Sequence, residues 1–547
     1  MISFVLPLSI LITLAAPAAG AVESPAEPAA DPAADPRGHT GPVAVEASST
    51  STSTSTSTSS QPTVAETRGQ PVAAETANQP ATVETRTQPA AGIAIGADAP
   101  AVAPEPASTP APAVAATSEV PAPEPVPAVE EKPAGPVWTP GAHIFLRSEG
   151  RINPDFDSGR NTAPDVVNVL ERARLQIGGV WGPVGIFVQA QDARAWGFEG
   201  STISNEANTD LHQGWLELKG GRKGLSGSVR AGRQEISWGS QRIIGGLGWA
   251  PTARSFDALR VQGEAGRFSA DAFVAVLAPP SEFNYTDEMD VVQVGQTRGT
   301  QLAAALVAFA AHKAFNIEAM ALSDFADASV AAPTRDRTII DFGARIWGNP
   351  FGGLKYEAEG HGQVGHDGAA DHRAWAWAAN LTYTQGKGRV KPGAKLGYAM
   401  ASGSRCGGGY DPAGDCGSSD FFNFYPTNHM HYGLVDLIGW RNMRNLEVRG
   451  NVAFEWLKVS LAYHFLQMQS PTGRWSDVGG KSVGAGFDPN NVDRTLGHEF
   501  DLVAVLKPWK PLMIQPGYGL FLPRKAGALL GGADPQHFVY LWLLTNF

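Results

Sequence analysis

The chain has 547 residues and a formal net charge of −11, but that charge is unevenly placed. Before Val137 lie 14 of the 53 acidic and 4 of the 42 basic residues, which leaves 39 acidic against 38 basic in the rest. That balance, with no basic patch, excludes nucleic acid as the expected partner, and beyond the first residues no apolar run is long enough for a membrane-spanning helix.

The first element is MISFVLPLSILITLAAPAAGA, residues 1–21. It is an apolar run closing on Ala19-Gly20-Ala21, the small-x-small pattern of a secretory signal peptide. It contains no Cys, which points away from a lipoprotein anchor. Residues 22–137 form a different polymer, rich in Pro, Ala, Ser, Thr and Glu. SSTSTSTSTSTSS (48–60) is low complexity, and ETRGQPVAA, ETANQPATV and ETRTQPAAG repeat from Glu66, Glu75 and Glu84. Such a segment buries too little apolar area to offset its ordering entropy, so a disordered periplasmic linker is expected, extended where Pro is dense.

From 138 to 547 the chain reads as a long series of two-faced strands. GAHIFLRSEG opens it, ERARLQIGGVWG sets Arg172, Arg174 and Gln176 against Ala173, Leu175 and Ile177, and VGIFVQAQDARAWG puts Gln189 and Gln191 on one face. LHQGWLELKG, with Glu217, and SVRAGRQEISWG (228–239) follow. In KYEAEGHGQV (355–364) the odd positions Lys355, Glu357, Glu359, His361 and Gln363 are all polar and the even ones apolar or small. This period of two marks strands with unlike faces. About eighteen such strands can be counted, at a density that suits an antiparallel transmembrane β-barrel.

Short connections such as WGPVG, GGRKG and QGKGR alternate with long ones at 198–210, 279–299, 402–440 and 470–494. Alternating short turns and long outer loops is the pattern of outer-membrane barrels, and an even strand number puts both termini in the periplasm. The last strand ends on Phe547 with Val539, Leu541 and Leu543 in register, which resembles the signal read by the outer-membrane barrel assembly machinery. In such a barrel apolar residues face lipid and polar ones the lumen. Trp347, Trp375, Trp377 and Tyr383 are therefore expected outside, and the Arg, Glu and His of strand middles inside.

Four stretches resemble the alginate-export family of outer-membrane barrels. They are VRAGRQEISWGSQRIIGGLGWAPTARSFDALRV (229–261), LERARLQIGGVWGPVGIFVQAQDARAWG, LHQGWLELKG and FFNFYPTNHMHYGLVDLIGWRN (421–442). The resemblance implies an eighteen-stranded barrel that passes an anionic uronate polymer through a lumen of Arg and Lys flanked by acidic residues. Arg174 and Arg233 match positive positions of the type exporter. Glu235 stands where that exporter has a basic residue, and His212-Gln213 where it has an Arg-Glu pair; both departures remove positive charge.

The candidate lumen set comprises Arg172, Arg174, Arg233, Arg260, Arg345, Lys355 and Arg449, which could bind carboxylates through charge-assisted hydrogen bonds. Glu217, Glu235, Glu357, Glu359, Glu447, Glu499 and Asp501, with Gln191 and His361, would hold those cations and keep a polyanion from binding too tightly to leave. Cys406 and Cys416, close together in an exported loop, are expected to form a disulfide. His429 and His431 lack further ligand-type neighbours, so no metal or other cofactor is expected, and no arrangement of nucleophile and base points to an enzyme. The sequence thus predicts an outer-membrane channel in contact with lipid, for an anionic polysaccharide or, alternatively, a general or anion-preferring diffusion porin for small solutes.

Overall fold

The computed structural model describes residues 135–156, 165–196, 209–279, 299–326, 336–368, 370–386, 388–405 and 418–547, and the backbone of 281–286 and 292–297. The signal peptide, residues 22–134 of the linker and both cysteines lie outside the described residues, and Val137, expected in the linker, begins the first strand.

Among the described residues there are twenty strands. They are β1 (Val137–Ile152), β2 (Val166–Trp181), β3 (Val184–Trp196), β4 (Thr209–Arg222), β5 (Leu225–Gln234), β6 (Phe256–Ala265) and β7 (Phe268–Ala278). Then come β8 (Ser281–Thr286), β9 (Val292–Thr297), β10 (Thr300–His312), β11 (Phe315–Ala326), β12 (Arg337–Gly348), β13 (Leu354–Asp367), β14 (Ala370–Thr384) and β15 (Lys391–Ala401). The last are β16 (Met443–Ala453), β17 (Leu457–Met468), β18 (Thr495–Trp509), β19 (Leu512–Pro523) and β20 (Gln536–Asn546), with one short helix, α1 (Lys525–Leu530), between β19 and β20.

Eighteen strands form one antiparallel sheet, and β8–β9 is a separate hairpin in the β7–β10 connection. β1 pairs with β20 from His143↔Asn546 to Ile152↔His537, so the sheet closes on itself. Closure removes every edge, as a membrane demands. The connections β1–β2, β3–β4, β5–β6, β7–β10, β11–β12, β15–β16, β17–β18 and β19–β20 are long and emerge at one end, where only two residues join β13 to β14. The tight turns, such as that between Trp181 and Val184, lie at the other, together with the entry of β1.

The faces are inverted relative to a soluble protein. In β2, Leu170, Arg172 and Arg174 are buried while Leu175 is 70% exposed. Leu216, Leu259, Val274, Val307, Leu396 and Val448 continue the apolar outer face. Exposed aromatics ring the short-turn end, among them Trp181, Phe268, Phe315, Phe351, Trp456 and Trp509, where an interfacial girdle belongs. Trp375, Trp377 and Tyr383 are also exposed outside, but Trp347 is not part of this face. It shares the parity of Asp341 and Arg345, and the Arg345 guanidinium lies 4.2 Å from its ring centre.

The long connections depart most from the sequence expectation. β5 stops at Gln234 instead of running on to Gly239, and residues 235–255 turn into the barrel. Residues 418–442 do the same, so the described part of the supposed outer loop 402–440 is interior. Ile236, Ile244, Trp249, Phe421, Tyr432, Ile438 and Trp440 are all buried. The two segments meet edge to edge: Gly245 N donates to Tyr425 O at 2.8 Å, Tyr425 N to Ile243 O at 2.9 Å and Thr427 N to Gln241 O at 2.9 Å. Residues 469–494 brace them from the long-loop end, where Trp475 Nε1 donates to Leu437 O at 2.7 Å. Large apolar side chains explain the inward path, since burying each one stabilises by roughly 1.5–3 kcal/mol. Trp249 also reaches the β1–β20 seam. Its carbonyl accepts from Arg147 Nη1 at 2.9 Å, and its ring lies 4.8 and 5.3 Å from those of Tyr540 and Trp542.

Candidate functional site: the plugged lumen

Of the predicted lumen cations, Arg172 and Arg174 bond directly to the plug formed by residues 235–255 and 418–442. Arg172 Nη1 donates to Gly248 O at 3.0 Å and Ala250 O at 3.2 Å, so it holds plug backbone. Arg174 donates through Nε to Gln191 Oε1 at 2.7 Å and through Nη1 to Glu235 Oε1 at 3.1 Å. Gln191 Nε2 in turn donates to Thr252 O at 3.0 Å. His212 Nε2 lies 2.8 Å from Arg174 Nη2 and 2.7 Å from Glu235 Oε1. Burial pushes the Glu235 carboxyl up, but the His212 hydrogen bond and the Arg174 charge outweigh it, and the group sits below the usual carboxylate range. Glu235 faces inward although it has the outward parity of β5, because the strand ends one residue before it.

Across the barrel, KYEAEGHGQV lies in β13. Glu359, His361 and Gln363 are buried and Val364 is exposed, so the polar face is the inner one. Apart from Lys355, its ionisable groups are paired. His361 Nδ1 lies 2.7 Å from Asp341 Oδ1 and its Nε2 3.1 Å from Glu359 Oε1, while Ser240 of the plug donates to Glu359. Arg345 donates to Glu318 at 2.6 Å and to Glu357 at 2.8 Å. Gly239, at φ +49°, passes so close to Glu318 and Arg345 that a Cβ there would collide with both. Gly433, at φ +106°, does the same beside Glu499, whose Oε1 accepts from Val435 N at 2.8 Å. Asp501 lies deeper, 3.5 Å from His464 Nε2.

Other candidates are distributed differently. Arg260 is inside, bonded to Asp271 at 2.9 Å, and Asp271 also accepts from Trp238 Nε1 of the plug at 2.9 Å. Glu217 is inside and accepts from Arg230 at 2.8 Å. Arg233 is not a lumen residue: it shares the face of exposed Val229, pairs in register with Asp257, and donates to Asp257 at 2.8 Å and Asp210 at 3.2 Å. The inward arginine of β5 is Arg230, which alternation from Val229 could have identified.

The open volume lies below the plug. A cavity of about 730 Å³ runs between the plug tip at Gly239–Gln241, His431 above, and the β12–β13 rim at Gly348 and Asn349. Four charged groups reach it: Lys355, Lys395, Arg449 and Glu357. Lys395 donates to Glu447 at 2.7 Å and Arg449 to the other Glu447 oxygen at 2.8 Å, one carboxylate for two cations. Lys355 has no acceptor among the described residues. Lys395 was passed over in the sequence, although GAKLGY puts it on the polar parity. His431, whose Nε2 donates to Ser240 O at 2.9 Å, is kept neutral: burial, then the Arg242 and Lys395 charges, hold its imidazole well below its usual value. A second cavity of about 300 Å³ lies among the inward loops, lined by Arg254, Trp440, Arg441 and Asp477.

A closed barrel with a lipid-type exterior, an aromatic girdle and a polar interior blocked by its own loops defines an outer-membrane channel protein. The chain belongs to the alginate export family, which it matches over residues 142–543. No curated protein matches the sequence. Among solved structures it is similar to the outer membrane protein OprD of Pseudomonas aeruginosa, with 13% identity over 75% of this chain and 94% of that one, TM-score 0.47. It is also similar to Pseudomonas aeruginosa OccK11 (12% identity, 75% and 96% covered, TM-score 0.47) and Acinetobacter baumannii OccAB1 (11% identity, 75% and 96% covered, TM-score 0.47).

Proposed function

We propose that the barrel exports an anionic polysaccharide of the alginate type, which enters at the short-turn end and passes the plug along the charged wall. The observation that carries this reading is the vestibule: Lys355, Lys395 and Arg449 converge on one cavity in which, among the described residues, Glu357 is the sole lining carboxylate. Lys395 and Arg449 share Glu447, so a passing uronate carboxylate can exchange with a protein carboxylate already in place. Such exchange gives attraction without trapping. In this reading the short-turn end faces the periplasm with the N-terminal segment, the long loops face outward, and the barrel assembly machinery and lipid are its membrane partners.

A polymer requires the two plug segments to part. The separate cavities of about 730 and 300 Å³ favour a second reading, diffusion of small anions around a fixed plug. Planar-bilayer recordings distinguish the two. Uronate oligomers added at the short-turn side should block current in a length-dependent way if a chain threads the pore. Equal block by monomeric uronate and oligomers would sink the export reading and leave the small-anion channel.

A further inference from the structure

We propose that the cavity of about 300 Å³ among the inward loops is a second binding site for an acidic sugar, in which Arg441 takes the carboxylate. That the sugar belongs to the transported chain rests on the export reading above; the site itself stands on its own residues.

Arg441 follows directly on the buried Trp440 and lines this cavity. Its one side-chain bond among the described residues is long, from Nε to Phe421 O at 3.4 Å, and its Nη1 and Nη2 have no acceptor there. Burial pushes the guanidinium below its usual value; the Asp420 charge opposes this and the Arg474 charge adds to it. An anion beside Arg441 would offset both the burial and the neighbouring cation. Two open donors on one planar group suit bidentate capture of a carboxylate.

The other charges of the cavity are already engaged. Arg254 Nη1 donates to Gly245 O at 3.1 Å and Pro426 O at 3.0 Å, so this cation adds positive potential while it holds plug backbone. Asp477 Oδ1 accepts from Gly479 N at 2.8 Å and Lys481 N at 2.9 Å, and Asp477 forms no ion pair with Arg441. Gly480, at φ +83°, passes beside the guanidinium: a Cβ there would stand 4.0 Å from Arg441 Nη1, in space the glycine leaves clear. Asn423 and Asn428 line the same space with amides suited to sugar hydroxyls. About 300 Å³ lies at the small end of ligand pockets, room for a sugar unit and not for a coiled chain.

The cavity sits in series with the vestibule. A single helical turn, Asn428–Met430, divides the two: Asn428 and His429 line the outer cavity, Met430 and the next residue His431 the vestibule. Asp477 and Gly480 belong to the brace, so the outer cavity lies toward the long-loop end. A cation for a carboxylate thus stands on each side of a partition one turn thick, Lys355 on one and Arg441 on the other. An acidic chain passing the plug would be handed from the first to the second.

The test uses the full-length protein inserted in one orientation in planar bilayers. The probe is glucuronate, and the control is glucose, which lacks the carboxylate. Glucuronate added on the long-loop side should block current, and glucose should not. Arg441→Gln should weaken that block by about tenfold, the worth of a charge-assisted hydrogen bond, and by a larger factor than it weakens block from the short-turn side. Lys355→Gln should show the reverse ratio. Asp477→Asn keeps an acceptor for the two amides but loses the negative charge, so it should strengthen long-loop-side block severalfold, more at low salt. This opposite sign decides the matter even if Arg441→Gln fails to insert. No long-loop-side block, block that glucose matches, or block that neither variant changes would overturn the proposal and mark the cavity as a water-filled crevice. Arg441-dependent block, with uronate oligomers no better than monomer from the short-turn side, keeps this site and removes the export reading. Length-dependent block from the short-turn side without any Arg441 dependence keeps export and removes this site.

Discussion

Arg174 and Glu235 meet across the boundary between wall and plug, with Nη1 donating to Oε1 at 3.1 Å. Arg174 belongs to β2 and is 9% exposed, whereas Glu235 is the first residue after β5 and is 37% exposed. The pair fixes where the plug departs from the barrel. Because one partner is partly wet, it contributes about 1 kcal/mol or less. Replacing Arg174 with Gln should therefore loosen the plug modestly, raising open-channel noise and the frequency of large-conductance events by roughly threefold to fivefold. Single-channel recording would detect it; an unchanged trace would mean that Arg172 and Gln191 suffice to hold this edge.

Arg233 and Lys355 offer a matched contrast. Arg233 faces outward between Asp210 and Asp257, so Arg233→Gln should leave ion selectivity unchanged. Lys355 faces the vestibule without an acceptor among the described residues, so Lys355→Gln should move the reversal potential toward cations. One charge is worth about 1 kcal/mol at 4 Å in water, so the permeability ratio should shift on the order of several-fold, more at low salt. Equal effects of both substitutions would contradict this placement of the strands' faces.

The interior course of residues 418–442 changes what a protease can reach. Trypsin applied to intact cells should leave Arg242 and Arg441 uncut, because their segments lie within the barrel. Rapid cleavage at either site from outside would show that the plug spends much of its time swung out.

His431 makes plug stability depend on pH. Its imidazole is held well below the ordinary value of 6.5 in the folded protein. The unfolded chain therefore binds a proton first as pH falls. The contribution to stability is complete above about pH 6.5 and declines through the window below it, to the depressed folded value. The thermal midpoint of wild type minus that of His431→Gln should shrink between pH 8 and pH 5. A constant difference would show that His431 does not titrate in this way.

Much of the barrel was legible because alternation is a local property: Leu175 against Arg174, and Val364 against Gln363, announce their faces within a few residues. Strand number and connection lengths follow from the same count. The plug was not legible in this way. SWGSQRIIGGLGWAP has no period, and whether an aperiodic apolar loop folds out or in is decided by partners nearly 180 residues away, as Ile244 and Tyr425 show. Arg233 misled for a related reason. Its match to a positive position of the type exporter set it in the lumen, and Glu235, two residues on, no longer keeps the strand's alternation because β5 ends at Gln234. Lys355 stands on the polar parity of β13, but what separates it from Arg345, no acceptor among the described residues against two carboxylates, depends on contacts between strands and plug.

Trp249 has a consequence for manufacture rather than for transport. The barrel is a strip that becomes a tube only when its first strand finds its last, and this residue from the middle of the chain grips both margins, through Arg147 on one and Trp542 on the other. The join is therefore riveted from within as well as zipped along its length. Truncating such a buried Trp to Ala typically costs about 3–5 kcal/mol, and here the loss should fall on the join. Trp249→Ala should leave strands that pair in order yet open along the β1–β20 line first, seen as early hydrogen exchange in β20 while β10–β14 stay protected.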